Sequence, residues 1–233
     1  MRRFLLPFYL VLSGCVPSAP SDMPSRAQTT SIDGNLPAVK VFTAPRPTPS
    51  YRANSDIARD FLDLAFNLES GRSLPTLTRF EGPISVRVTG RPSAGLGSDL
   101  NRLLHRLRTE AHINIRQNQA DTANITIEAV SRKEIRAMLP QAACFVAPNV
   151  SSLAQYRLAR RTSLVNWTGL KERKRLSIFL PNDASPQEVR DCLHEELAQA
   201  LGPLNDLYRL PDSVFNDDNV HTVLTGFDML MLR

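Results

Sequence analysis

Five oxygen-bearing side chains fall close together near the C-terminus: Glu195, Glu196, Gln199, Asn205 and Asp206. If residues 195–199 are helical, Glu195 and Gln199 stand one turn apart on a shared face, with Glu196 beside them. Two kinds of chemistry suit that set. Carboxylate and amide oxygens can surround a hard divalent cation such as Ca²⁺, Mg²⁺ or Mn²⁺, leaving Glu196 as a general base. Alternatively the amides of Gln199 and Asn205 donate to the carboxylates of Glu195 and Asp206, giving a hydrogen-bonded cluster without metal. His194-Glu195 does not open a zinc-binding H-E-x-x-H helix, because the residue four beyond His194 is Ala198.

The helix that must carry these groups has a strong start signal. Ser185 can cap it, Pro186 fits its first turn, and Glu188 completes a capping box. Val189, Leu193, Leu197 and Ala200 make its apolar stripe, with Cys192 at the edge. Glu196 falls inside the arc bounded by Cys192, Val189 and Ala200. A carboxylate there needs a partner or a raised pKa.

Other elements follow from periodicity and caps. Ser55 is expected to cap a helix carrying Ile57, Phe61, Leu64, Ala65 and Leu68 and ending at Gly71, and Ser98 to start a second helix with Leu100, Leu103, Leu104 and Leu107. Ser131–Glu134 forms a capping box for a short helix that Pro140 stops, and Thr225 with Asp228 does the same for a final helix. Residues 84–88, 112–115, 124–127, 143–146 and 176–180 read as strands. Together these elements predict one α+β domain over residues 54–233, a mixed sheet packed with helices that include the motif-bearing helix and a C-terminal helix.

The N-terminus reads as an export signal. Arg2 and Arg3 precede an apolar run, Phe4–Leu12, too short to span a bilayer. Leu12-Ser13-Gly14-Cys15 resembles the bacterial lipobox, which implies cleavage after residue 14 and lipidation of Cys15. Val16, rather than Asp, after the cysteine resembles the outer-membrane sorting pattern, so the expected location is the outer membrane, facing the periplasm. Two or more acyl chains would hold the protein stably at that membrane. Residues 15–53 are rich in Pro, Ser and Thr and are expected to be a lipidated, disordered tether, with Val39–Phe42 a short apolar piece that can dock. With Cys15 lipidated, Cys144 and Cys192 remain as an even pair in an oxidising compartment and are expected to bridge.

The chain carries 28 Lys and Arg against 23 Asp and Glu; without Arg2 and Arg3 the excess falls to three. Arg157, Arg160, Arg161, Lys171, Arg173, Lys174 and Arg175 cluster, a pattern that suits a solvated face or contact with anionic envelope polymers. Export and an aromatic content of 6% argue against nucleic acid as a partner. Asn216–Asn219 is rich in side-chain oxygens but lacks the Gly and the bidentate Glu of a calcium loop, and His221 is a loop histidine.

The spacing from Glu195 onward resembles the metzincin zinc-peptidase helix, H-E-x-x-H-x-x-G-x-x-H, without its imidazoles. On that resemblance Glu195, Gln199 and Asn205 stand at the three metal-ligand positions. Glu196 then holds the place of the general base and Gly202 that of the turn glycine. Ser213-Val214-Phe215 resembles the methionine turn with Phe215 in place of Met, and Leu224-Thr225-Gly226-Phe227-Asp228 resembles the opening of the final helix. The whole pattern is similar to a family of bacterial lipoproteins carrying a degenerate metallopeptidase-like domain of unknown function. Zinc prefers imidazole and thiolate, so this donor set implies no resident cofactor, with zinc or another divalent cation as the alternative. The functions implied are a non-catalytic binding or structural role in the cell envelope, a metal-dependent peptidase or cell-wall hydrolase using Glu196, or an adaptor for an envelope protein or anionic polymer.

Overall fold

The computed structural model describes residues 22–27, 52–216 and 221–233. The signal segment, Cys15, Val39–Phe42 and residues 217–219 lie outside the described residues. The elements run in chain order as β1 (Ser25–Ala27), α1 (Asn54–Ala65), β2 (Ile84–Gly90), α2 (Leu96–Thr109), β3 (Ile115–Gln117) and β4 (Ile125–Val130). They continue as α3 (Arg132–Met138), β5 (Ala142–Pro148), α4 (Leu153–Ala159), β6 (Leu176–Pro181), α5 (Pro186–Leu201) and α6 (Gly226–Leu232).

The six strands form one sheet in the order β1-β5-β6-β4-β2-β3. β3, β2, β4 and β6 run parallel to one another, whereas β5 runs antiparallel to β6 and β1 antiparallel to β5. The α+β class expected from the pattern is the one observed. β4 and β6 lie in the interior of the sheet, and β6 is buried along its whole length, as a strand covered on both faces must be.

Three capping boxes read from sequence are formed: Ser131 with Glu134, Ser185 with Glu188, and Thr225 with Asp228. α5 is buried on nearly every side, packing on β5, β6, α2 and β1. Its position is fixed by long-range ties. The Cys144–Cys192 disulfide joins it to β5, and Arg190 Nε reaches Asp99 of α2 at 3.1 Å. At its C-terminal end, the buried Arg173 guanidinium donates to the carbonyls of Gln199 (2.6 Å) and Gly202 (2.7 Å). Carbonyls left over at a helix end attract a cation, so this arginine acts as a cap supplied from a distant loop.

Several expectations are corrected. α1 begins at Asn54 without a side-chain cap and ends at Ala65, not Gly71. A tight turn closes there, with Leu68 N–H donating to Arg72 O and Gly71 taking φ +79°. α2 starts at Leu96, so Ser98 lies inside it. The strand expected over 112–115 begins only at Ile115, because His112 adopts φ 58°. α4 has no counterpart in the sequence reading; its Tyr156 ring meets Phe145 of β5 and Phe179 of β6 at centroid distances of 5.0 and 5.9 Å. Within the expected tether, residues 22–27 are not a tether: they form β1 and bury Met23 and Arg26. The cause is pairing with residues far along the chain, which local composition does not encode.

Candidate functional site

α5 delivers Asp191, Glu195, Glu196 and Gln199 into the protein interior, all of them buried. β1 crosses beside them and supplies the principal cation. Arg26 Nη1 donates to Glu195 Oε2, and its other terminal nitrogen lies 4.0 Å from Asp191 Oδ2. The Arg26 backbone N–H donates to Glu196 Oε1 at 3.2 Å. Its neighbour Ser25 N–H donates to Glu69, at 3.1 Å to one carboxylate oxygen. Glu69 also accepts from Gln199 Nε2 at 3.1 Å. Thus a strand from one end of the chain lies across a nest of acids built by α5 and the turn after α1.

The electrostatics follow from burial and crowding. Glu196 has no exposed surface, and its Oε2 has no hydrogen-bond partner among the described residues. Burial, then the like charges of Glu195, Glu69 and Asp206, push its carboxyl well above the usual range, with only the Arg26 N–H opposing. Its protonated form is thereby favoured over the ionised one relative to a free carboxyl. Asp191 is pushed up to about 6, chiefly by burial and against the pull of Arg26. His194, on the same helix, is driven down to about 3 by burial and by Arg106, Arg190 and Arg102, so it stays neutral. Its Nδ1 accepts Leu224 N–H at 3.2 Å, which makes it a structural link to the segment before α6.

The sequence-derived set is only partly assembled. Glu195, Glu196 and Gln199 share the site, and Asp206 is close enough to act on Glu196. Asn205 does not join them: its Nδ2 turns to the Asp63 carbonyl of α1 at 3.1 Å. The expected amide-to-carboxylate pairs are likewise replaced, since Gln199 donates to Glu69 rather than to Glu195 or Asp206. His221 bonds the Pro211 carbonyl at 2.7 Å instead of reaching the site. Arg173, counted with the surface basic run, is a core residue, its guanidinium 5.3 Å from the Trp167 ring centroid. Gly202 has φ −163°, and a Cβ there would lie 3.9 Å from Leu232 Cδ2, so neither its φ nor its space demands glycine.

Sequence reasoning missed Arg26, Glu69 and Asp191. Asp191 carried a signal: it lies one turn before Glu195 on a strongly predicted helix, and so on the same face. The other two carried none, because neither is near the motif in sequence. Below the site, Asp228 is fully buried and accepts from Ser213 Oγ, Val214 N–H and Thr225 N–H, at 3.2 and 2.7 Å for the two amides. It welds the Ser213–Phe215 turn to the start of α6.

Chemically, the arrangement does not fit a metal centre. A guanidinium is paired with Glu195, one would-be ligand faces α1, another is engaged by Glu69, and the would-be base is fully buried and hydrogen-bonded to a peptide N–H. Elsewhere, a cavity of about 560 Å³ has Met23, Met138, Tyr156, Arg72, Arg160 and Arg161 in its wall.

Residues 54–233 match the family described as "Protein of unknown function (DUF2927)", and the chain belongs to that family. No curated protein and no solved structure matches the chain.

Proposed function

We propose that this protein is a lipid-anchored component of the bacterial cell envelope whose metallopeptidase-like domain has exchanged metal chemistry for a binding role. The observation that carries the reading is the Arg26 guanidinium on Glu195, the residue that the zinc-peptidase resemblance makes the first metal ligand. One cation has been replaced by another, and a protein cation brings its own peptide with it. The burial of Glu196 beside Glu195 and Glu69 supports the same reading, since crowding by like charges disfavours the ionised form that a general base needs.

The test is elemental analysis of protein purified without chelator, together with melting in the presence and absence of chelator. The expected result is no stoichiometric zinc and an unchanged melting temperature. About one tightly held metal per chain, with a melting temperature lowered by chelator, would overturn the reading. Intact-mass measurement of the membrane-extracted protein checks the anchor: cleavage before Cys15 with added acyl mass is expected. An unmodified Cys15 refutes it.

A second reading has its own support. Arg160 and Arg161 line the cavity beside Met23 together with Arg72, and Arg157, Lys171, Lys174 and Arg175 are exposed. These groups suit an anionic envelope polymer or lipid headgroup, and binding that falls steeply with ionic strength would identify it.

A further inference from the structure

Deletion of β1 in thought leaves an unusual surface. β5 becomes the edge strand of the sheet, and beside it runs a row of acids, the buried Asp191, Glu195 and Glu196 of α5 and the half-buried Glu69 of the turn after α1. β1 satisfies that surface in the way a bound peptide would. It is three residues long, pairs with β5 alone, and its register shifts between Arg26 and Ala27. Its hydrogen bonds are of the kind that recognise backbone regardless of sequence: Val146 N–H donates to Pro24 O at 3.3 Å, while the N–H groups of Ser25 and Arg26 are taken by Glu69 and Glu196. One side chain supplies specificity, Arg26 seated on Glu195 with Asp191 beside it.

Two further facts separate this from an ordinary edge strand. Glu196 Oε2 and Gln199 Oε1, both on residues with no exposed surface, have no hydrogen-bond partner among the described residues. The site therefore holds hydrogen-bonding capacity that β1 does not use, and unmet buried polar groups are costly unless some ligand meets them. Residues 28–53 join β1 to α1 in the chain, so β1 meets its site as a covalently attached segment.

We propose that the β5 edge and the acids of α5 form a binding site for an extended, arginine-bearing peptide, that residues 22–27 are its resident ligand, and that a partner protein's segment displaces them by adding its own strand. This deepens the binding role proposed above and rests on it, but the metal analysis tests that role separately.

The experiment uses the full chain with a site-specific protease sequence inserted between Ala38 and Val39. Cleavage of the folded protein leaves the N-terminal fragment bound without a covalent tether. A fluorescent peptide of residues 21–28 is then added, and anisotropy is read for nicked and intact protein, with circular dichroism as the folding check. Nicked protein is expected to bind the peptide at least about tenfold more tightly than intact protein, because the competing tether is gone. A peptide with Arg26→Ala, or nicked protein with Glu195→Gln, is expected to lose that binding. Retention of the fragment without exchange, or unfolding on its loss, would make β1 an integral strand and overturn the proposal. Equal binding of the two peptides would overturn the arginine requirement, and a dimer of intact chains trading residues 22–27 would assign the site to self-association instead.

Discussion

Substitution of Glu196 by Gln tests the electrostatic account of the site most directly. A carboxyl whose folded-state pKa exceeds its unfolded value holds its proton more tightly when folded. Its contribution to stability is full below the unfolded value, 4.5 for Glu196, and is lost as pH rises through the folded value. In that window the wild type loses about 1.4 kcal/mol per pH unit for this one proton. Glutamine carries no such proton. From pH 5.5 to 7.5 the variant should therefore gain about 3 kcal/mol on the wild type, for as long as Glu196 stays protonated. Against this stands the new amide N–H₂, which costs about 1–3 kcal/mol if it finds no acceptor. Oxygens of Glu195, Glu69 and Asp206 act on this position, so that cost falls at the low end. That cost is the same at every pH, so the expectation is a variant that gains on the wild type by up to about 3 kcal/mol between pH 5.5 and 7.5, or roughly 6–12 °C in melting temperature for a domain of this size. Urea unfolding of both proteins across pH 5–8 measures it. Parallel stability curves, or a variant less stable at pH 7.5, would mean that Glu196 is ionised and stabilised as such, and the reasoning would fail.

Two other outcomes probe the frame around the site. Cys144→Ala with Cys192→Ala should cost about 2–5 kcal/mol, since the bridge closes a long loop, and should raise peptide hydrogen exchange in β5 and α5. Gly90 has φ +77°, and a Cβ there would lie 2.3 Å from the Ala129 carbonyl oxygen of β4; Gly90→Ala should cost at least about 2 kcal/mol by chemical denaturation, and a loss within 0.5 kcal/mol would refute the close approach.

Local signals were legible and long-range ones were not. The three capping boxes are i to i+3 patterns, so Ser131, Ser185 and Thr225 marked their helices correctly. The bridge was legible from cysteine parity together with the expected export, and the burial of Glu196 from the helical wheel. By contrast, α1 was read as running on to Gly71 because Leu68 continues its apolar spacing. In fact Leu68 is buried from a turn, where the same spacing arises without a helix. Arg173 was counted with its charged sequence neighbours, yet the Gln199 and Gly202 carbonyls draw it inside.

The site itself divides along the same line. Glu195, Glu196 and Gln199 could be placed together because one helix carries them. What they bind to could not, because Arg26 is 169 residues from Glu195 and sits in a proline-rich stretch whose composition predicts no structure at all. Composition describes what a segment can bury against itself, and β1 buries nothing against itself. Its order is borrowed from β5 and from a set of acids that would otherwise repel one another. That dependence runs both ways. Glu195 and Asp191 are buried carboxylates and need a cation, and β1 has no stability without the edge of β5. A segment whose order is wholly borrowed is also a segment that a better-matched peptide can replace. The same fact that hid β1 from the sequence is thus the physical ground for treating it as a ligand.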